Sequence, residues 1–504
     1  MKKKVKRVFL SALLVVSLTA FFFISDGFAG AQSQEQQKFK DPATESSEYT
    51  NEELQQQLQI TGPNVGGHQT GSVVKINNKI TVKTSEQAGF KIWELNIPGN
   101  RALATPAIEN GRVFVGGGFG SYEFYAFDCE TGKDIWQIRV NDDGPTAAVV
   151  RDGYVVFNTE SCTLFVVKDK TGEMVWSRWL GDPLMSQPAI SSDKIYMVYP
   201  SPEGHLLTAL GLKDGKDFWK QKIDGDVISA PVISGDSVYV STFRGTVYRF
   251  GKDDGELRWK KEMNATSAPW ILGEEVFVTK RNPNDPKIDD FKVKEGIQKL
   301  EVKGGNEINK QVWSEREAEY LSHEAQSKTE YYTAQKSDDS SVGFSTAPST
   351  AKTNEAAMNI GQSTVRGLWE YQGSRNVIVG DKIYNSMGDV IQEVDRKTGK
   401  VNWEKKLEGD MKNLGGHLVT PAAIGGSKMV VGTSTGLVIC FDRNNGKKLW
   451  EVNVGAPIRF QPSLYKGNVY VGTTNGKLIC IKTNDNELDG WTMWGGGPEH
   501  NGKI

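Results

Sequence analysis

A glycine standing four residues ahead of a tryptophan recurs along this chain, and that repeat constrains the fold more than any other feature. The pairs are Gly89/Trp93, Gly132/Trp136, Gly172/Trp176, Gly215/Trp219, Gly255/Trp259, Gly399/Trp403 and Gly446/Trp450. An eighth copy ends at Trp313, with Asn309 in the glycine position and Gly304-Gly305 just upstream. Successive tryptophans lie 43, 40, 43, 40, 54, 90 and 47 residues apart. A strand-rich unit with a period near 40 cannot bury both of its faces alone, so it must stack on its neighbours in an array or a ring.

One copy shows the physics of the unit. Residues 428–440 hold two short runs of β-formers, split by Thr433-Ser434-Thr435-Gly436. Phe441-Asp442, a polar turn ending at Gly446, and a third run through Leu449-Trp450 follow. Asp and Asn stabilise such turns through their own backbone, and Gly supplies the positive φ that closes them. Asp128, Asp395 and Asp442 hold the same place, four residues ahead of the glycine. A fourth run precedes each copy and opens on a small-residue and proline signal: Thr105-Pro106-Ala107, Gln187-Pro188-Ala189, Ser229-Ala230-Pro231, Ser267-Ala268-Pro269, Thr420-Pro421-Ala422 and Gln461-Pro462-Ser463. Proline is tolerated at the start of an edge strand, which suits a strand lining a central channel. Four strands in about 40 residues make one propeller blade.

Complete units end at Trp136, Trp176, Trp219, Trp259, Trp313, Trp403 and Trp450. Two half-units remain, one N-terminal with Trp93 (residues 72–93) and one C-terminal without a tryptophan (residues 461–482). Joined, they supply an eighth blade and leave the ring without free edges. The expected fold is therefore all-β, an eight-bladed β-propeller of four-stranded antiparallel blades closed by both termini, with seven blades as the competing count.

The repeat resembles that of the pyrroloquinoline-quinone-type (quinoprotein-like) propeller family, which runs from a hydrophobic strand through Asp and Thr-Gly-Lys to Trp. Phe127-Asp128-Cys129-Glu130-Thr131-Gly132-Lys133-Asp134-Ile135-Trp136 and Val394-Asp395-Arg396-Lys397-Thr398-Gly399-Lys400-Val401-Asn402-Trp403 carry the resemblance, which extends over residues 72–494. It implies that the tryptophans dock between adjacent blades and are structural. The chain is also similar to the propeller lipoprotein of the outer-membrane barrel-assembly complex, although no Cys precedes Cys129 to serve as a lipid-attachment site.

The family contains both redox enzymes and binding scaffolds. Its quinone-dependent dehydrogenases bring a vicinal Cys-Cys disulfide, a Ca²⁺ site and an Asp base. Here Cys129, Cys162, Cys440 and Cys480 are all apart, and no C-x-x-C-H haem motif occurs. Cys440 and Cys480 hold equivalent positions in neighbouring blades, too far apart for a disulfide; Cys129 lies in a turn, and its pairing with Cys162 stays open. His68, His205, His323, His417 and His500 show no ligand spacing. No catalytic residue, metal or cofactor is expected; PQQ with calcium belongs only to the alternative, a dehydrogenase acting on alcohols or sugars.

Residues 1–31 read as a secretory signal, with Lys2, Lys3, Lys4, Lys6 and Arg7, an apolar run over 8–24, and a cleavage site at Ala29-Gly30-Ala31. Cleavage after Ala31 predicts a periplasmic or secreted protein with no transmembrane segment in the mature chain. Its loss removes five basic residues and one acidic residue, so the mature chain is more acidic than the full-length net charge of −2. With no basic block, nucleic acid is not an expected partner. Residues 32–71 read as a flexible linker. Residues 281–297, with Asn282-Pro283-Asn284-Asp285-Pro286, account for the 54-residue spacing, and residues 314–371 read as a low-complexity insertion with a helix expected over 315–335. Trp491 and Trp494 are expected to cover an apolar patch on one face, ahead of a C-terminal tail at 495–504.

What remains is binding, by a closed and therefore monomeric ring. The segments joining each Trp strand to the next inner strand gather around one mouth of the channel. Arg101, Met185, Trp270, Arg375, His417 and Arg459 fall in or beside them. Arg375, His417 and Arg459 come from consecutive blades and are expected side by side, where they suit an anionic or aromatic group of an envelope protein or surface ligand.

Overall fold

The computed structural model describes residues 71–160, 162–181, 186–202, 204–281, 292–309, 312–319, 375–409 and 418–502. Its strands form eight antiparallel sheets, the blades of one propeller. Blades 1 to 7 span residues 107–140, 149–179, 189–223, 232–262, 270–319, 377–406 and 423–453. Each runs outward in sequence order, from a three-residue inner strand to the outer strand that carries the tryptophan. The inner strands Ala107–Glu109, Ala189–Ser191, Val232–Ser234 and Trp270–Leu272 each start directly after a proline, as the sequence signal predicts. Among the described residues there is no α-helix, and none long and apolar enough to cross a membrane.

Both ends of the chain build blade 8. Strands Ser463–Tyr465, Asn468–Gly472 and Lys477–Lys482 come from the C-terminal half, and Phe90–Asn96 pairs antiparallel with the last of them, Trp93 facing Cys480. Lys83–Gln87 adds a fifth strand outside Phe90–Asn96. Val73–Lys75 crosses to blade 1 and pairs with its outer strand Asp134–Val140. The N-terminal segment thus covers the outer edges of two neighbouring blades, which leaves fewer unpaired backbone groups open to another chain.

The glycine–tryptophan repeat works across blade boundaries. Seven of the eight repeat tryptophans lie over the glycine turn of the following blade, close enough that a Cβ on Gly215 would meet the Trp176 ring at 3.0 Å. The same seat holds Trp93 on Gly132, Trp136 on Gly172, Trp219 on Gly255, Trp259 on Gly305, Trp313 on Gly399 and Trp403 on Gly446. Trp450 packs edge-on against Phe90 of blade 8, with ring centroids 5.2 Å apart. Positive φ at these glycines (Gly132, 69°) closes the turn, and the missing side chain admits the indole. The indole N–H then donates to a carbonyl of the next blade: Trp136 to Asp169 and Trp176 to Leu212, both at 2.9 Å, Trp219 to Lys252 at 3.0 Å and Trp259 to Val302 at 2.7 Å.

Two expectations about blade 5 and its sequel need correction. Gly305, not Asn309, closes its turn: the Gly305 N–H donates to Glu301 O as Gly132 does to Asp128. Asn309 stands at the usual tryptophan spacing and is buried, its side-chain carbonyl accepting from Lys299 N at 2.7 Å and Gln298 Nε2 at 2.9 Å. Trp313 reaches its seat four residues late. The helix expected over 315–335 does not begin at 315, because strand Trp313–Glu319 continues blade 5; the rest of that insertion, like the signal and linker, lies outside the described residues. All four cysteines are buried thiols outside any disulfide, Cys129 and Cys162 included. Burial pushes Cys440 up to about 12, which makes it a packing residue rather than a nucleophile.

Candidate functional site: the axis and its plug

In each blade the inner strand has one edge with no partner in its own sheet, and these edges face the axis. The chain's own C-terminal segment occupies that axis. It starts at the hairpins that follow the inner strands of blades 7 and 8. The Glu487 carboxylate accepts from Ser427 N at 2.9 Å and Ser427 Oγ at 2.5 Å, and pairs with Lys428 at 3.3 Å. Gly467 N donates to Leu488 O, and Lys466 N to Asp489 Oδ1. The segment then turns inward and meets the inner-strand edges. Leu464 N donates to Trp491 O at 2.6 Å, Ile108 N to Thr492 O at 2.7 Å, Ile190 N to Pro498 O at 2.8 Å and Ile233 N to Glu499 O at 2.9 Å. Arg151 of blade 2 approaches Glu499 at 3.8 Å. With Trp270 of blade 5 and Arg375 of blade 6, all eight blades touch it.

A stack of flat groups forms the heart of the plug. Trp491 lies parallel to Trp270, with centroids 6.1 Å apart and 8° between planes. The Arg375 guanidinium carbon sits 5.0 Å from the Trp270 centroid and 4.5 Å from that of Trp494. His500 closes the stack edge-on to Trp494 at 4.9 Å. Two desolvated cation–π contacts are worth about 2 kcal/mol each. Gly495 is required here: it has φ of 72°, and a Cβ on it would strike Arg375 Nη1. Burial holds Arg375 down at about 9 and, together with the Arg375 charge, holds His500 down at about 4.

The residues singled out from the sequence separate into three groups. Arg375 is fully enclosed and Trp270 is 3% exposed, so both belong to the plug and neither presents itself at an open mouth. The physical reason is that the tail enters from the hairpin end and penetrates to the level where the links begin. The tail was expected to lie over one face; it fills the axis instead. Arg101 and Arg459 are part-exposed on adjacent links, those entering blades 1 and 8. Arg101 packs against Gly99 and Gly118 of its own neighbourhood. Met185 and His417 lie outside the described residues; Arg375, being enclosed, does not join Arg459 in an exposed patch.

A second concavity lies between the hairpins of blades 5 and 6, about 600 Å³ in volume and lined by Leu272, Glu274, Glu275, Asp381 and Arg396. Its charges pair with one another, Arg396 with Glu275 at 2.6 Å and with Asp381 at 3.1 Å. Lys299 also reaches Glu275, at 2.9 Å. The network fastens the two blades together. Among the described residues no group of His, Cys, Asp and Glu has the arrangement of a metal site.

A family model described as outer membrane protein assembly factor BamB matches residues 77–311, 202–372 and 386–495. Two curated relatives bear that name. The one from Burkholderia pseudomallei is 32% identical over 120 residues, 23% of this chain and 28% of the relative. The one from Legionella pneumophila is 30% identical over 95 residues, 19% of this chain and 23% of the relative. The matched stretches thus span less than a third of either relative. The crystal structure of BamB from Moraxella catarrhalis superposes with a TM-score of 0.50 at 12% identity, covering 80% of this chain and 100% of that one, a likeness of fold alone.

Proposed function

This chain belongs to the family of the outer membrane protein assembly factor BamB, and from that premise we propose that it is a non-catalytic scaffold of the cell envelope. In this reading it is exported, binds a protein partner, and serves the assembly of outer-membrane proteins. The filled axis is the observation that carries it. The chain's own residues 487–489 take the hairpin mouth and the segment after them fills the axis, so the reading assigns the partner to the link end, where Arg101 and Arg459 stand part-exposed.

The dehydrogenase alternative asks these residues to hold a quinone and a calcium ion, and they do not fit. The four thiols are separate and buried, so no vicinal disulfide forms. The axis is filled by the chain's own Trp491, Trp494 and His500, packed against Trp270 and Arg375. Scaffold and enzyme separate in two measurements. Deleting the gene in the native host should lower the amount of folded outer-membrane barrel protein, and complementation should restore it. Supplying the purified protein with quinone, Ca²⁺ and alcohols or sugars should give no reduction of an artificial electron acceptor above background. Turnover in the second assay, with unchanged barrel proteins in the first, would overturn the reading.

A further inference from the structure

Among the described residues Arg375 is a buried cation with no anion to answer it. Its side chain is fully enclosed, and no carboxylate of the described residues pairs with it. Nη2 donates to the carbonyl oxygens of His500 and of Pro269, the latter at 3.5 Å. Nε and Nη1 have no partner. An arginine carries five N–H donors and no acceptor, so three of its donors are unmatched where water is excluded.

The neighbouring groups add donors and no negative charge. The indole N–H groups of Trp494 and Trp491 are buried and without partners. Both ring nitrogens of His500 face carbonyl oxygens, Nδ1 toward Trp494 O at 2.7 Å and Nε2 toward Pro188 O at 2.9 Å. A neutral imidazole has one N–H, so one of these contacts sets a lone pair against a carbonyl. A protonated ring would satisfy both and add a second buried positive charge. The acid next to His500 in sequence, Glu499, is committed elsewhere. It accepts from Ser191 Oγ at 2.5 Å and Asn501 Nδ2 at 3.0 Å, and faces Arg151 at 3.8 Å.

A buried charge is tolerated when it is paired and hydrogen-bonded. Water would satisfy the spare N–H groups but bring no charge, and the two indoles supply only part of the compensation. We propose that the plug binds a small anion, of halide or formate size, against the free Nε and Nη1 edge of Arg375. Bound there, it ties blade 6 to the C-terminal segment.

The full-length mature protein tests this directly. Crystals soaked in sodium bromide should show an anomalous peak within hydrogen-bonding distance of Arg375 Nε or Nη1. In solution, Tm at constant ionic strength should rise saturably with chloride, bromide or formate, and should not rise with gluconate, which is too bulky to enter. Arg375→Gln should flatten the anion dependence. If that variant does not fold, the bromide peak and the saturable wild-type Tm decide the matter together. The proposal is overturned by the absence of a peak, by a peak without a saturable Tm (an adventitious ion only), or by an anion dependence that persists in Arg375→Gln.

Discussion

The two termini close this propeller in different ways. At the rim, strand Phe90–Asn96 completes blade 8 by repeating what every other blade does, with the Trp93 indole docked on Gly132. At the axis, residues 487–502 follow no repeat: Trp491, Trp494 and His500 reach blades 5 and 6 through a stack seen once in the molecule. The rim closure makes the ring, because without it blade 8 exposes the backbone edge of Lys477–Lys482. The axial closure is laid on a ring that the repeat has already specified. The difference sets an order of expected effects.

The largest follows from deleting residues 73–95. Blade 8 then loses its outer strands and the neighbouring seat on Gly132 loses its indole, so the protein should aggregate, as read by size-exclusion chromatography. A monomer with unchanged Tm would break the comparison. Next comes truncation after Leu488, which removes the two tryptophans and His500 and opens Arg375 to water. Circular dichroism should still report a monomeric β-protein, but with a lower Tm than any single substitution in the segment produces. Aggregation like that of the N-terminal deletion would mean that the plug, too, is part of the ring's foundation.

A single inter-blade seat is smaller. Trp176→Ala removes an almost fully buried indole and its bond to Leu212 O, and should cost about 3–5 kcal/mol in chemical denaturation. Leu449→Ala, one residue ahead of Trp450 and 42% exposed, should stay within about 0.5 kcal/mol. Equal losses at the two positions would contradict the docking role. The smallest effect concerns the anchor at the start of the plug. Hydrogen bonds from Ser427 and the charge of Lys428 lower Glu487 from 4.5 to about 2. A depressed carboxylate stabilises the fold above its unfolded value, so this contribution is present above pH 4.5 and is lost as pH falls toward 2. Glu487→Gln should remove that part of the pH dependence of Tm; an unaltered acid profile would show that the anchor contributes nothing.

The same contrast explains what could be seen before the structure. Blades are legible because glycine, proline and tryptophan recur at fixed offsets, and the eighth follows from two incomplete halves. Blade 5 misleads because its turn glycine, Gly305, and its tryptophan are eight residues apart instead of four, so spacing alone assigns Asn309 to the wrong place. The plug leaves only a faint trace: Trp491 and Trp494 break the repeat beside Gly495-Gly496-Gly497, and Arg375 stands where other blades carry an uncharged residue, Thr, Ala, Gln or Pro. Nothing in a linear pattern couples residue 375 to residue 494, since their meeting depends on the ring first bringing the inner strands around one axis. An arginine near a link therefore reads as a surface group, although it is the most deeply buried charge in the stack.

In the proposed function, one end of the ring is sealed from within and the other receives a partner. Photo-crosslinking amino acids placed at Arg101 and Arg459, on the links, and at Ser427 and Lys466, on the hairpins at the plugged end, test that claim in intact cells. A discrete adduct to an envelope protein is expected from the two link positions and none from the hairpin positions. Adducts from the hairpin positions alone would contradict it.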